Sequence, residues 1–128
     1  MAPSSLHVPS ASVASLVAGT NLGRRHPGST DWLFRQIDLN IEPGDRLALV
    51  GPTGSGKSLI LRALALLDPV DEGAISWCGQ SVIDAAVPEF RSLVLYLQQR
   101  SPVIEGTVED NLELPFTLHL RQNSSFPA

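Results

Sequence analysis

The stretch from Gly51 to Ser58 constrains the fold of this chain more than any other feature of its sequence. It reads G-P-T-G-S-G-K-S and matches the pattern G-x-x-x-x-G-K-[ST] at every fixed position. Arg46 to Val50, apolar from Leu47 onward, precedes it, and the mainly apolar stretch Lys57 to Leu67 begins at its last two residues. These runs predict a strand buried on both faces and a helix. A strand, a glycine-rich loop and a helix in this order indicate an α/β fold whose loop curls around a polyphosphate.

This stretch is called the phosphate loop below, and its residues have separate expected roles. Gly54 and Gly56 leave room for phosphates because they have no side chain. Lys57 is expected to reach the β- and γ-phosphates, and the Ser58 hydroxyl to bind Mg²⁺. The predicted nucleotide-binding residues are Gly51, Pro52, Thr53, Gly54, Ser55, Gly56, Lys57 and Ser58. The alternative is a glycine-rich turn with an incidental Lys and Ser.

Alternation and turn residues predict the elements around the phosphate loop. Leu33 to Ile41 alternates as a strand except at Arg35, and Glu42 to Asp45 suits a turn because it contains Pro-Gly. Asn21 to Asp31 reads as a polar loop, and Arg62 as a solvated helix residue. Other strands are predicted at Ser15 to Ala18, Ala74 to Trp77, Ser81 to Ile83 and Leu93 to Leu97, with Gly79 to Pro88 otherwise a loop.

Composition excludes several classes of protein. The chain has 9 basic and 13 acidic residues and a net charge of −4, which gives no electrostatic reason to bind nucleic acid. Its single cysteine, Cys78, cannot form an internal disulfide and fits a reducing compartment as a small apolar filler. No apolar run approaches the roughly 20 residues of a membrane span.

The chain is expected to divide into three parts. Residues 1–14 lack a basic segment followed by a long apolar one, so they read as a flexible leader rather than a signal peptide. Residues 15–116 form the folded domain, and residues 117–128 a polar tail. Near the end of the domain, Thr107 to Asp110 predicts a capping box that starts a short helix reaching about Leu114.

Two segments together resemble the nucleotide-binding subunits of ABC transporters. Ile37 to Gln80 is similar to that family's opening, with a hairpin, a phosphate loop, a helix, and a turn into a strand. Arg91 to Leu112 is similar to its Q-loop region. Spacing to Gly106 places Gln99, rather than Gln98, at the family's glutamine. The resemblance implies that Gln99 approaches Mg²⁺ and the attacking water, and that it acts in catalysis together with Lys57.

The resemblance covers about Ser15 to Phe116 and implies a fold, a function and partners. The fold is the N-terminal portion of an ABC-type P-loop NTPase, truncated before the rest of its core sheet. The function is ATP binding, with Mg²⁺, as part of an ATPase subunit that drives transport across a membrane. Implied partners are a membrane-spanning subunit and a second nucleotide-binding subunit, with the chain cytoplasmic and peripheral at the inner face of the membrane. The segments "GTVEDNLELPF" and "RALALLDP" favour a metal-related exporter subgroup.

Several elements of the family pattern are missing from these 128 residues. There is no LSGGQ-like signature and no apolar strand ending in Asp-Glu, and His119 follows no such strand. The chain alone is therefore predicted to bind ATP without hydrolysing it. The family's adenine-stacking aromatic would fall near His26 to Gly28, where there is none. His26 could stack, and Trp32 is a displaced candidate better suited to packing in a strand.

Two other functions remain open at this point. One is a truncated nucleotide-binding remnant without turnover, which the missing signature favours. The other is a soluble P-loop enzyme such as a small kinase. Against the kinase, the sequence has no arginine-rich lid segment and no acceptor-binding motif, and the Q-loop resemblance would be unexplained.

Overall fold

The computed structural model describes residues 15–117, so the predicted leader (1–14) and most of the predicted tail (117–128) lie outside it. The chain divides into two compact units, Met1–Tyr96 and Leu97–Ala128. The first contains β1 (Val17–Arg25), β2 (Trp32–Ile41), α1 (Lys57–Leu64), β3 (Glu72–Trp77), β4 (Gln80–Ser81), a 3₁₀ turn (Asp84–Ala86) and α2 (Val87–Leu93). The second contains α3 (Val108–Glu113) and a 3₁₀ turn (Leu114–Thr117).

The first unit is built on one antiparallel sheet with the strand order β2-β1-β3-β4. Helix α1 turns an apolar side toward the core of this unit, because Ile60, Ala63 and Leu64 recur at helical spacing and are all buried. Phe90 of α2 is fully buried and meets the Trp77 ring edge-to-face at 5.8 Å. The remaining core residues are Val17, Leu22, Phe34 and Ile75.

Strand β1 is longer than predicted, because backbone bulges interrupt the alternation of apolar and polar side chains along it. The polar loop predicted from Asn21 starts too early, since β1 continues to Arg25. Asn21 has a φ of 48°, and the register with β2 shifts between Gly19 and Leu22. The bulge lets β1 carry a polar residue at position 21 and still bury Leu22 completely.

A second bulge explains the break that Arg35 makes in the pattern of β2. Gln36 has a φ of 55°, which shifts the alternation of side chains by one position. Phe34 is therefore buried before the bulge, whereas Ile37 is the first of the partly buried residues after it. The predicted strand itself is confirmed, and so is the turn that follows, in which the Asp45 amide donates to the Glu42 carbonyl at 3.1 Å.

Helix α1 ends three residues before the predicted Leu67. Leu66 takes the left-handed conformation with a φ of 54°, and its amide donates to the Ala63 carbonyl at 2.9 Å. The Leu67 amide donates to the Arg62 carbonyl at 2.9 Å. This pair of bonds is a Schellman cap, which satisfies the last carbonyls of the helix without a glycine.

Other boundaries differ from the predictions as well. Strands are predicted at residues 46–50 and 93–97, yet neither range forms a strand among the described residues, and Leu93 ends helix α2. Strand β3 starts at Glu72 rather than Ala74, and the strand expected at Ser81 to Ile83 is the two-residue β4. Helix α2 was missed, since its sequence was expected to be partly loop and partly strand.

In the second unit, the predicted capping box is confirmed. The Asp110 amide donates to the Thr107 hydroxyl at 3.1 Å, and the Thr107 amide donates to the Asp110 carboxylate at 2.6 Å. These hydrogen bonds from Thr107 lower the pKa of Asp110. Helix α3 starts at Val108 as expected.

The end of helix α1 is tied to strand β1 through one carboxylate. Arg62, expected to be solvated, donates from both Nε and Nη2 to the Asp68 carboxylate at 2.8 Å, and Arg24 Nη1 lies 2.6 Å from the same group. Only 15% of the Asp68 side chain is exposed. The Arg62 guanidinium, with Arg24 beside it, holds the pKa of Asp68 well below its usual range.

Replacing Asp68 with asparagine is therefore expected to destabilise the first unit. The free energy of unfolding should fall by about 1–2 kcal/mol at neutral pH. This is less than for a fully buried ion pair, because solvent reaches Asp68 and its two arginines. A lowered folded-state pKa stabilises the protein above the unfolded pKa of about 4, and this contribution is lost as the pH falls.

Urea unfolding of the unaltered chain and the Asp68→Asn variant at pH 7 and pH 3 tests this expectation. The difference between their free energies of unfolding should be smaller at pH 3. Asp31→Asn, in an exposed loop, is the control; an equal loss from both substitutions would contradict the assignment.

Candidate functional site

The phosphate loop has the backbone that its glycines were predicted to allow. Gly54 and Gly56 have φ values of 83° and 94°, in the left-handed region that residues with a Cβ rarely adopt. The Ser55 amide donates to the Pro52 carbonyl at 3.2 Å and closes the loop. A Cβ at Gly56 would lie 3.4 Å from the Leu33 carbonyl oxygen, so β2 passes close to this end of the loop.

Lys57 folds its side chain back across the phosphate loop. Its Nζ donates to the carbonyls of Gly51 and Pro52, both at 2.7 Å, and lies 3.4 Å from the Ser55 hydroxyl. The ammonium is thus held at the loop by neutral acceptors. A phosphate oxygen is a stronger acceptor because it carries charge. The geometry therefore places a positive charge where an anion cradled by the loop would meet it.

The first turn of α1 leaves its backbone donors available. Gly56 is the N-cap of the helix and supplies no side-chain hydrogen bond, and the first turn contains no acidic residue. The free N–H groups of a helix start and the positive end of its dipole both attract anions. This turn and Lys57 together offer backbone N–H donors and one ammonium, which are the groups that an anion site requires.

Ser58 presents the only side-chain oxygen in the first turn of α1. The residue is exposed, and it follows Lys57 directly along the helix. Both line a cavity of about 410 Å³ whose other walls are mostly apolar. Mg²⁺ that binds with nucleotide phosphates needs only one or two protein oxygens, since phosphates and waters complete its shell. The Ser58 hydroxyl fits that requirement.

The described residues contain no other arrangement suited to a metal. No cluster of three or more His, Cys, Asp or Glu side chains occurs between residues 15 and 117. Burial raises the pKa of the Cys78 thiol, which agrees with its expected part as an apolar filler.

Gln99 belongs to the second unit, and the phosphate loop belongs to the first. It is exposed and sits at a bend that follows residues 94–98, which belong to no described strand. Its expected place near Mg²⁺ and water therefore stays a prediction.

Trp32 packs on the sheet, in agreement with the packing role that the sequence favours over adenine stacking. The guanidinium carbons of Arg25 and Arg35 lie 4.4 Å and 4.5 Å from the centre of its ring. Arg35 also donates to Glu72 at 3.1 and 3.2 Å. A Cβ at Gly23 would fall 2.9 Å from the ring, so the indole lies against β1. These neighbours make Trp32 a part of the sheet surface.

No helix in the described part of the chain has the length and hydropathy needed to cross a membrane.

Comparison with known proteins agrees with the geometry. A family model described as "ABC transporter" matches residues 34–126. The ABC transporter ATP-binding protein YjkB of Bacillus subtilis is 35% identical over 98 residues, which are 77% of this chain and 39% of YjkB. The sn-glycerol-3-phosphate import ATP-binding protein UgpC of Burkholderia pseudomallei is 35% identical over 89 residues, 70% of this chain and 24% of UgpC.

A solved structure shares the fold. The dimeric structure of a bacterial ABC transporter cassette superposes with a TM-score of 0.71 at 22% identity, covering 88% of this chain and 51% of the cassette. The chain thus spans about half of the solved cassette and less than half of YjkB or UgpC.

Proposed function

We propose, since this chain belongs to the ABC transporter family, that its phosphate loop binds ATP and that the chain acts as part of a transporter's ATP-binding subunit. The observation that carries the proposal is the Lys57 ammonium, held 2.7 Å from two loop carbonyls beside an uncapped helix start. Backbone N–H groups of the loop and of the first turn of α1 would bind the phosphates, and Lys57 would turn from the carbonyls of Gly51 and Pro52 to the β- and γ-phosphates. Calorimetric titration of the chain with ATP tests this function.

Mg²⁺ is proposed as the accompanying metal, with Ser58 and Gln99 as its protein ligands. When bound, the ion neutralises charge on the phosphates. The hydroxyl of Ser58, exposed at the start of α1, supports the first ligand. The resemblance of residues 91–112 to a Q-loop region supports the second.

Removal of either ligand is expected to weaken the effect of Mg²⁺ on ATP affinity without abolishing ATP binding. Ser58→Ala and Gln99→Ala should each reduce the gain in affinity that Mg²⁺ provides, by about tenfold for one lost ligand to a charged group. Gln98→Ala is the matched control for Gln99. Titration with ATP in Mg²⁺ and in EDTA measures the gain; a gain unchanged by Ser58→Ala or by Gln99→Ala would remove that residue from the metal site.

Membrane attachment is proposed to occur through a partner subunit, with the chain on the cytoplasmic side. The family supports a membrane-spanning partner, and the solved cassette, a dimer, supports a second nucleotide-binding subunit. The chain produced without a membrane partner is expected in the supernatant after carbonate extraction. Retention in the membrane pellet would contradict the proposal.

Export of a metal-related substrate is proposed only from the resemblance of two short segments, and transport assays with the assembled complex test it.

A further inference from the structure

Arg62 of α1 contacts an aromatic ring as well as the Asp68 carboxylate. Its guanidinium carbon lies 5.9 Å from the centre of the Tyr96 ring, within the range of a cation–π contact. Two hydrogen bonds to Asp68, both 2.8 Å long, hold the guanidinium in one orientation. Tyr96 is half-buried. An arginine held in this way offers an aromatic ring a preformed surface on which to pack.

Tyr96 lies in a stretch of chain with few other restraints. Residues 95–99 belong to no helix, and within residues 15–117 they form no β-ladder and no backbone hydrogen bond. The neighbouring side chains of Leu95 and Leu97 are 80% and 78% exposed. The contact between Tyr96 and Arg62 is therefore what restrains the chain between the end of α2 and Gln99.

This contact links the helix that carries one proposed Mg²⁺ ligand to the chain that leads to the other. Ser58 and Arg62 are four residues apart on α1, so they lie on the same face of the helix, about 6 Å apart along its axis. Tyr96 precedes Gln99 by three residues, and three residues of extended chain span at most about 11 Å. A Tyr96 ring held on α1 thus limits the volume that Gln99 can sample.

We propose that Tyr96 is a positioning residue for Gln99, because its ring, held by Arg62, restrains the chain that leads to that glutamine. Ordering a free stretch of backbone costs conformational entropy, and a contact that orders it beforehand removes part of this cost when Gln99 binds Mg²⁺ beside ATP. The inference rests on the proposed function, since it concerns a metal ligand assigned there.

The test measures the affinity of the 128-residue chain for ATP in Mg²⁺ and in EDTA by calorimetric titration. Tyr96→Leu removes the ring and should reduce the gain in affinity from Mg²⁺ about threefold, which corresponds to an exposed cation–π contact. Affinity in EDTA should not change, because Gln99 is proposed to act through the metal. Tyr96→Phe keeps the face of the ring and should match the unaltered chain. Leu95→Ala, at the exposed neighbouring position, is the matched control and should leave the gain unchanged.

A double variant shows whether Tyr96 acts through Gln99. In the Gln99→Ala background, Tyr96→Leu should reduce the gain from Mg²⁺ no further, because the two substitutions remove the same interaction. A further reduction in the double variant would overturn the proposal. A gain that Gln99→Ala lowers but Tyr96→Leu leaves unchanged would overturn it too, as would a Tyr96→Phe variant that is as weak as Tyr96→Leu.

Backbone relaxation of the nucleotide-free chain separates this inference from the proposed function. The heteronuclear ¹⁵N NOE at the amides of Leu97, Gln98 and Gln99 should fall in Tyr96→Leu and be retained in Tyr96→Phe, since the restraint needs no nucleotide. Unchanged values in Tyr96→Leu would overturn the inference even if ATP binds. The expected relaxation in a chain that binds no ATP would instead contradict the proposed function, and the restraint by Tyr96 would stand without its role in metal binding.

Discussion

Phosphate release from ATP by the purified 128-residue chain is expected to stay at the level of its Lys57→Ala variant. Transfer to water requires charge neutralisation on the γ-phosphate and an oriented, activated water. Lys57 and Ser58 would contribute to the first. For the second, the amide of Gln99 can orient a water but cannot act as a base, and general-base catalysis is typically worth ~10²–10⁴-fold.

None of the acidic residues after Gln99 is expected to act as that base. Asp110 is engaged by the Thr107 amide at 2.6 Å and the Thr107 hydroxyl at 2.7 Å, and these bonds lower its pKa, which makes it a weaker base. No apolar strand ends in Asp-Glu anywhere in the sequence. Steady-state phosphate release above background, abolished by Lys57→Ala, would contradict the prediction. Glu105, exposed and closest in sequence to Gln99, would then be replaced with glutamine first.

Replacement of Lys57 with alanine is expected to weaken ATP binding by about 100-fold. A charge-assisted hydrogen bond contributes roughly 1.5–3 kcal/mol, and 1.4 kcal/mol is a factor of ten in affinity. Lys57 has a second effect, since it holds the carbonyls of Gly51 and Pro52 together at 2.7 Å each. Its loss should therefore also loosen the loop before ATP arrives.

Calorimetric titration of both proteins with ATP and Mg²⁺ measures this change. Arg46→Ala is the charge-matched control, because Arg46 is exposed and lies outside the phosphate loop. Equal affinities of the unaltered chain and the Lys57→Ala variant for ATP would contradict the proposal that the phosphate loop binds ATP.

Features set by local chemistry could be predicted from the sequence. Glycines at 54 and 56 take the positive φ that the phosphate loop requires, and the pair Pro43-Gly44 makes the turn after β2. Thr107 and Asp110 form the expected capping box, since both partners lie within one helical turn. In each case the residues that determine the geometry are neighbours in the chain.

Features set by distant partners could not be predicted. The bulges at Asn21 and Gln36 shift the alternation of β1 and β2, and polar residues at such positions read as loop or as exceptions. Residues 46–50 have the composition of a buried strand, but a ladder needs a partner that the described residues do not provide. The predicted loop extends to Pro88 and so covers the start of helix α2, although proline fits the first turn of a helix.

The candidate site divides in the same way. Its eight loop residues follow from a local pattern. The contacts of Lys57 with its own loop depend on the folded path of the chain, as does the bridge from Arg62 through Asp68 to Arg24 outside the site. Residue spacing alone does not contain that information, and the same holds for the place of Gln99 in the second unit.

The most direct measurement of the central claim is the change in the assigned ¹⁵N–¹H spectrum of the chain when ATP and Mg²⁺ are added. If backbone N–H groups of the phosphate loop bind the phosphates, the largest shifts will be at the amides of Gly54, Gly56, Lys57 and Ser58. The amide of Gly79, in the turn between β3 and β4, should barely move. Saturable binding with unchanged loop amides, or with the largest shifts elsewhere, would contradict the account.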